Sequence, residues 1–418
     1  MLDSSNIWLL FNILFWLSLY CSYKIKHNHF GASGFLLSLF IFFSISSLLV
    51  YNDPFWGERF KSLSLFPFLI LDFLIIVSLL PVFKWDNENI KKIESNNLKA
   101  VYVVCGFFII CTFFRVGDLT ELGSGFMKMM VSSEAGADVY IETMLESEAN
   151  QGSLSINNIF AIFSNLLYDI SVFSFFFLLH KKSCGHKFKI CMILSILICI
   201  IIPITQSQRG PVLERVLVLV VSFFAFDRFL GEKIVATIKK YFIILGFILS
   251  IPIVLITISR FEDRGTLGSV FFYFGQQNLF FNNFAFDNNG LRYGDRVFPV
   301  FKKFLGFENV PLDFWTRRIK YQNLYINDEV FIGYVGDFML DFGPIITIII
   351  FILFSWYVYH KIKVTNGVVY LHNMLPLLFT LHVCAYGGLF LFPFADTDNY
   401  TIIMYILVYY FYKYYKIG

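Results

Sequence analysis

Residues 188–229 read FKICMILSILICIIIPITQSQRGPVLERVLVLVVSFFAFDRF. Two apolar runs, 188–206 and 211–229, flank a connection of a few residues around Ser207-Gln208-Arg209-Gly210-Pro211. A helix rising about 1.5 Å per residue needs roughly 20 apolar residues to cross the hydrocarbon of a bilayer, so this is a hairpin of two spans. Working outward, runs of the same kind fall at 6–23, 30–51, 63–83, 98–115, 156–180, 240–259, 343–360, 368–392 and 399–415, making eleven. Over all 418 residues, 57% are hydrophobic, 20% aromatic and only 15% charged, where a soluble domain carries roughly 25% charged residues. A soluble protein is excluded, and the net charge of +3 is too small to suggest a nucleic-acid partner. The reading is an all-α polytopic integral membrane protein of about 11 transmembrane helices with two larger external loops. Its layout is spans 1 to 8 over 1–259 with an external loop at 116–155, a large external loop with interfacial or re-entrant segments over 260–342, and spans 9 to 11 over 343–418.

Every second connection is rich in lysine: Lys24 and Lys26, then Lys84, Lys91, Lys92 and Lys99, then Lys181, Lys182, Lys187 and Lys189, then Arg228, Lys233, Lys239 and Lys240, then Lys361 and Lys363, then Lys413 and Lys416. The positive-inside rule makes these cytoplasmic. With an odd number of spans, that places the N-terminus outside and the C-terminus inside. No basic residue precedes the first run, which therefore reads as a retained span and not a cleaved signal peptide. The seven cysteines fall in spans or cytoplasmic connections, so neither disulfides nor a metal cluster are expected. No internal repeat of the transporter kind is visible.

The cytoplasmic set is 17 Lys and one Arg, whereas the other fifteen basic residues are five Lys and ten Arg: Arg59, Arg115, Arg209, Arg215, Arg260, Arg264, Arg292, Arg296, Arg317 and Arg318. A guanidinium is always charged and offers a planar donor fork that matches phosphate oxygens. Interfacial snorkelling is the bland explanation for any one of them. Arg209 opens the seventh span and Arg215 lies about one and a half turns inside it. They either pair with Glu214 or reach an anionic headgroup, with the positive end of the helix also facing outward. Arg260 and Arg264 stand four residues apart, with Glu262 and Asp263 between them as candidate salt-bridge partners. Downstream, Gln276, Gln277 and Asn278 sit among aromatic rings, which fits either saccharide binding or an interfacial aromatic belt.

The stretch 329–360 is too long for one straight span and is expected to break at Asp341-Phe342-Gly343-Pro344. That leaves 329–340 as an interfacial or re-entrant piece, with Asp337 and Asp341 four apart. Asp341 is then either a helix cap or a carboxylate that positions or deprotonates an acceptor hydroxyl, or holds an arginine. His382, inside the tenth run, is a packed histidine or a proton carrier. Asp396 and Asp398 have no preferred role. No Walker A, His-Glu-x-x-His, Gly-x-Ser-x-Gly or zinc spacing is present, so those chemistries are unsupported.

On these residues the chain resembles the oligosaccharide repeat-unit polymerases of bacterial surface polysaccharide assembly, the O-antigen polymerase (Wzy) family. The resemblance rests on Arg209-Gly210 opening the seventh span, the long external loop after the eighth, and the run Glu329 to Gly343 before the ninth. A family pattern of Arg, ten residues and Gly has one counterpart, Arg264 to Gly275, and none at Arg209 or Arg215. The resemblance implies a GT-C-like multi-helix glycosyltransferase in the bacterial inner membrane. It would work at the periplasmic face on undecaprenyl-diphosphate-linked oligosaccharides, without metal or cofactor, and with a chain-length regulator as a candidate partner. Arg209, Arg260 and Arg264 would hold diphosphates, Arg215, Arg292, Arg296, Arg317 and Arg318 being further candidates, with Gln276, Gln277 and Asn278 at the sugar. Asp341, before Glu262, would orient or deprotonate the acceptor. An O-antigen ligase shares the donor and the side, and a lipid-linked oligosaccharide flippase is the rival from another class.

Overall fold

The computed structural model describes residues 4–27, 29–121, 156–206, 208–261 and 266–415. Its helices are α1 (Ser4–Lys26), α2 (Gly31–Tyr51), α3 (Leu65–Asn87), α4 (Leu98–Phe113), α5 (Ile156–His180), α6 (His186–Thr205), α7 (Arg209–Phe226) and α8 (Glu232–Phe261). There follow α9 (Thr266–Phe284), two short helices, α10 (Pro299–Phe304) and α11 (Phe314–Lys320), and then α12 (Gly333–Lys361), α13 (Leu371–His382) and α14 (Asn399–Tyr414). Seven of them, α1, α2, α3, α5, α6, α8 and α12, are long and apolar enough to cross a membrane. By packing, the chain forms two compact units: residues 1–94 with 267–409, and residues 95–266 with 410–418.

Two sequence expectations change. The run 368–392 is not one helix: α13 ends at His382, a π-turn follows over Val383–Gly387, and the chain is irregular until a 3₁₀ turn at Asp396–Asp398. Gly387, Gly388 and Pro393 explain the break, since glycine gives up helix stability and proline lacks the N–H that helix continuation needs. Conversely, residues expected in an external loop form α9, a 19-residue helix.

Within the first unit, α9 meets α2 at Gly275. A Cβ there would lie 2.5 Å from the backbone of Ser46 and Ser47, so only glycine permits the approach. The contact is fastened by Ser47 Oγ donating to Gly275 O at 2.8 Å and by Asn278 Nδ2 donating to Ser47 Oγ at 3.1 Å. Gly275→Leu should therefore push the helices apart, because backbone cannot yield as a side chain can, at a cost of about 1–3 kcal/mol. A lowered unfolding temperature of the detergent-purified chain checks this. One turn earlier on α2, Ser44 donates to Asn12, and Asn12 and Trp16 of α1 donate to the buried Asp72 of α3 at 2.9 and 3.0 Å. These neutral donors let three apolar helices share one carboxylate.

The helix α12 is two helices in series. Gly343 has φ +72° and ψ 174°, a conformation open essentially to glycine, and Pro344 follows it. The expected break is thus present, with the first piece running from Gly333 and not from Glu329. Thr347 Oγ1 spans the kink by donating to Phe338 O at 2.9 Å. Beyond it, Ile345, Ile349, Leu353 and Trp356 are exposed along one stripe, as expected for a surface turned to lipid.

Contacts within the first unit sort the connections as the lysines do. The 84–94 and 361–370 connections are joined by the parallel pair β1 (Lys92–Glu94) and β2 (Val368–Tyr370), and Asp86 takes hydrogen bonds from Tyr23 and from Ser33 N. The remaining connections meet each other: Asn6 with Asn52, Lys61 N with Asn283 at 3.0 Å, and Arg296 with Asp396. In the second unit, Tyr102 bonds Ser183 O, His180 bonds Phe229 O, and Asn96 bonds Lys413 O.

Candidate functional site

Two groups of arginines stand out, one in each unit. In the first unit the segment 285–332 folds onto the start of α12 and the irregular 388–398 stretch through ten ionisable side chains. They are Arg292, Arg296, Arg317, Lys302 and Lys320 against Asp295, Asp328, Asp337, Asp341 and Asp396. Five cations face five carboxylates, so the group is neutral overall. Arg292 is completely buried: its Nη2 donates to Asp337 Oδ1 at 2.9 Å and to Asp337 O at 3.0 Å, and its Nε lies 2.6 Å from Asp341 Oδ1. Asp337 and Asp341 are one helical turn apart on α12, which is why both reach the same guanidinium.

Backbone donors complete both carboxylates. Phe392 N donates to Asp337 Oδ2 at 2.8 Å, and Val297 N and Arg296 N donate to Asp341 Oδ2 at 2.8 and 3.2 Å. Arg317, also completely buried, is held by Asp328 and by Asp396 Oδ1 at 2.6 Å. Arg296 pairs with Asp396 too, so Asp396 bridges two guanidiniums. Asp295 accepts from Lys302, from Lys320 at 2.6 Å and from Tyr321 Oη at 2.8 Å. Burial pushes the Asp295 carboxyl up, but these donors outweigh it and hold it below the usual carboxylate range. For Arg292 and Arg296 the same balance runs the other way: burial disfavours the cation, and the surrounding carboxylates more than restore it.

The group therefore fastens a fold. Removing any buried member strands a charge in a medium where solvation cannot replace the partner. Arg292 and Arg317, read as diphosphate ligands, are already ion-paired with carboxylates, and Arg296, paired with Asp396, keeps its side chain 15% exposed. Asp341, read as an acceptor base, takes two backbone N–H groups on Oδ2 and faces the Arg292 guanidinium with Oδ1. The amides Gln276, Gln277 and Asn278 are buried as well, Asn278 against Ser47 of α2 and Gln276 against the Phe331 backbone. Arg318 is exposed beside the Phe314 ring at 5.4 Å. Among the described residues no cluster of His, Cys, Asp and Glu could hold a metal ion.

In the second unit the arginines keep different company. Arg115, just past the end of α4, donates through Nη1 to Ser164 Oγ and to Asn165 Oδ1, both at 2.9 Å, and its Nε lies 3.2 Å from Asp118. Arg215 on α7 donates to Cys199 O at 3.1 Å and to the same Asn165 Oδ1 at 3.1 Å, and stacks over Tyr168 at 5.3 Å. Of the two alternatives raised from sequence, pairing with Glu214 or reaching an anionic headgroup, the first has no Arg215–Glu214 ion pair among the described residues. Two guanidinium nitrogens reaching one oxygen are no more than about 6 Å apart, and at an effective dielectric constant of about 20 their repulsion is about 3 kcal/mol. Arg209 is the first residue of α7 and is buried, and Pro211 lies in the first turn as expected. The Arg260 side chain, Glu262 and Arg264 lie outside the described residues.

Sequence reasoning singled out Arg292, Arg296, Arg317 and Asp341 without finding that they are one network, and it missed Asp295 and Asp328 as members. The spacing of Asp337 and Asp341 was a usable signal for a shared cation. Asp396 carried no local signal, because its arginine partners lie 79 or more residues away, and the local Arg115–Asp118 pair gave no hint of Ser164 and Asn165, about 50 residues from Arg115. Comparison with family models, with characterised proteins and with solved structures finds no match to this chain.

Proposed function

We propose that the chain is a glycosyltransferase of the O-antigen polymerase type, an enzyme of about eleven spans in a bacterial inner membrane. It would act at the periplasmic face and transfer a growing chain from undecaprenyl diphosphate to the non-reducing sugar of the next lipid-linked repeat unit. The observation that carries this reading is the pair of guanidiniums, Arg115 and Arg215, held close together by neutral acceptors at the helix ends that the lysine distribution marks as external. Cations arranged in that way can take up the negative charge that develops on a diphosphate leaving group without a metal. The charge-balanced network of the first unit supports the same reading in a second role, as an ordered external cap over membrane helices. Arg209, Arg260 and Arg264 remain candidates for the second diphosphate. Asp341 is ion-paired with Arg292 and holds two backbone N–H groups, so Glu262 is the acceptor-activating carboxylate of this proposal.

The test is the lipopolysaccharide ladder of cells lacking the chain, complemented with wild type or with Arg215→Met checked for membrane expression. A single-repeat band replacing the ladder, restored by wild type and not by well-expressed Arg215→Met, is the expected result. Loss of every band above the core would point to a ligase or a flippase, and an unchanged ladder on deletion would end the proposal.

A further inference from the structure

The geometry points to a membrane foot at the end of α10: Phe304, Leu305 and Phe307 insert among the acyl chains of the external leaflet, with phospholipid as their partner. These three large apolar side chains fall within four residues and outside the seven helices long enough to cross a membrane. They are 65%, 77% and 57% exposed. Apolar surface grouped in this way marks a place where something other than water is met. The height of α10 decides what that is.

Two spans begin beside this helix. On one side Asn399, the first residue of α14, accepts from Val300 N at 3.2 Å and donates to Val297 O at 2.8 Å, and the Phe304 ring meets that of Tyr400 at 6.4 Å. On the other side, a Cβ at Gly294 would lie 3.0 Å from the Phe342 ring and 3.7 Å from the Lys302 side chain, and Phe298 packs on Phe342 at 6.0 Å. Phe342 precedes the Gly343-Pro344 kink, and just past the kink Ile345 and Ile346 are exposed on the surface turned to lipid. Phe304 stands about 6 Å along the helix from Val300, so the foot stays at the level of these span ends, where acyl chains give way to headgroups.

The two faces of α10 agree with that placement. Pro299 and Val300 are buried, and Lys302 turns toward the protein, pairing with Asp295 and donating to Tyr293 O at 3.0 Å. Lys303 is exposed next to Phe304, and a lysine stem can lie along apolar chains while its ammonium reaches lipid phosphates. A short segment with rings on one side and a lysine at its edge is the pattern of a chain lying in the membrane surface. Asp295 also accepts from Lys320 and Tyr321, so immersion of the foot ties the ion-pair network to the bilayer and sets the height of the 285–332 segment above it.

The test puts the photo-crosslinking residue p-benzoylphenylalanine at Leu305 of the full chain in cells, and at Ile345 as the lipid-facing reference. After irradiation of the native membranes and purification, the peptide spanning 305 should carry phospholipid mass additions, as the peptide spanning 345 does. The same probe at Phe304, close in shape to the native ring, repeats the measurement should the first variant fold poorly. Adding Phe304→Ser and Phe307→Ser to the Leu305 variant should lower the lipid adduct about tenfold or more, since two rings no longer partition into the leaflet. Yield and unfolding temperature of the detergent-purified chain should change little, because both rings are exposed. A crosslink to a second copy or to another protein as the main product would overturn phospholipid as the partner. Absence of a lipid adduct at 305 and 304 while 345 gives one, or an adduct undiminished by the two serines, would overturn the foot. No turnover enters the measurement, so an unchanged ladder on deletion would reject the polymerase reading while leaving this result standing.

Discussion

Arg292→Met is expected to cost about 3–5 kcal/mol of folding free energy, the largest effect of any single substitution considered for this chain. The substitution keeps most of the side-chain volume but takes from Asp341 its Arg292 partner and leaves Asp337 with only the 3.9 Å contact to Arg296 Nε. Both are fully buried, so water cannot take the place of the guanidinium. The backbone donors Phe392 N, Val297 N and Arg296 N remain and limit the loss without removing the repulsion between the two carboxylates. Arg292 also ties Tyr321 to the group through its own carbonyl oxygen, which accepts from Tyr321 Oη at 2.8 Å. A strong fall in unfolding temperature and in the yield of monodisperse protein is the expected readout. Adding Asp341→Asn to Arg292→Met should recover part of the loss, because the pair is coupled and one stranded charge is then gone. A variant Arg292→Met as stable as wild type would show that the network does not hold the 285–332 segment against α12.

Asp341→Asn alone separates two roles for one carboxylate. As a general base it would contribute about 10²- to 10⁴-fold to the rate, and the amide would give normal amounts of folded but inactive protein. As a fastening residue it should give less folded protein, since Arg292 loses an ion-pair partner at 2.6 Å and the amide N–H₂ points donors at donors. We expect the second pattern, with ladder formation per folded molecule reduced less than tenfold while stability drops. The measurement is ladder intensity normalised to monodisperse protein, for wild type and variant side by side. Full yield with a hundredfold loss of activity would return Asp341 to the chemistry.

The network also explains how far local sequence could lead. Asp337 and Asp341 share a helix face by spacing alone, and the break at Gly343-Pro344 follows from the backbone limits of those two residue types. The packing of Gln276 and Asn278 into protein contacts has an equally physical reason. Amides and rings in a row suit a sugar and suit a close helix contact, and it is Gly275, through its approach to Ser46 and Ser47, that selects the contact. The tenth run was misjudged because apolar content alone does not reveal the helix-breaking effect of Gly387, Gly388 and Pro393.

What the sequence by itself determined is the membrane character, most of the long helices and the grouping of connections into two sets. Those properties follow from length, hydropathy and lysine placement, each of which acts through solvent and needs no distant partner. What only the tertiary structure decided is which arginines are occupied. Arg292, Arg296 and Arg317 look the same as Arg115 and Arg215 in sequence, since every guanidinium carries the same charge and the same donors. They differ in the company the fold brings to them: carboxylates from α12 and from the 328 and 396 positions in one unit, a shared neutral amide in the other. Electrostatic energy depends on distance and burial, and neither is set until residues separated by 45 to 100 positions are folded against one another.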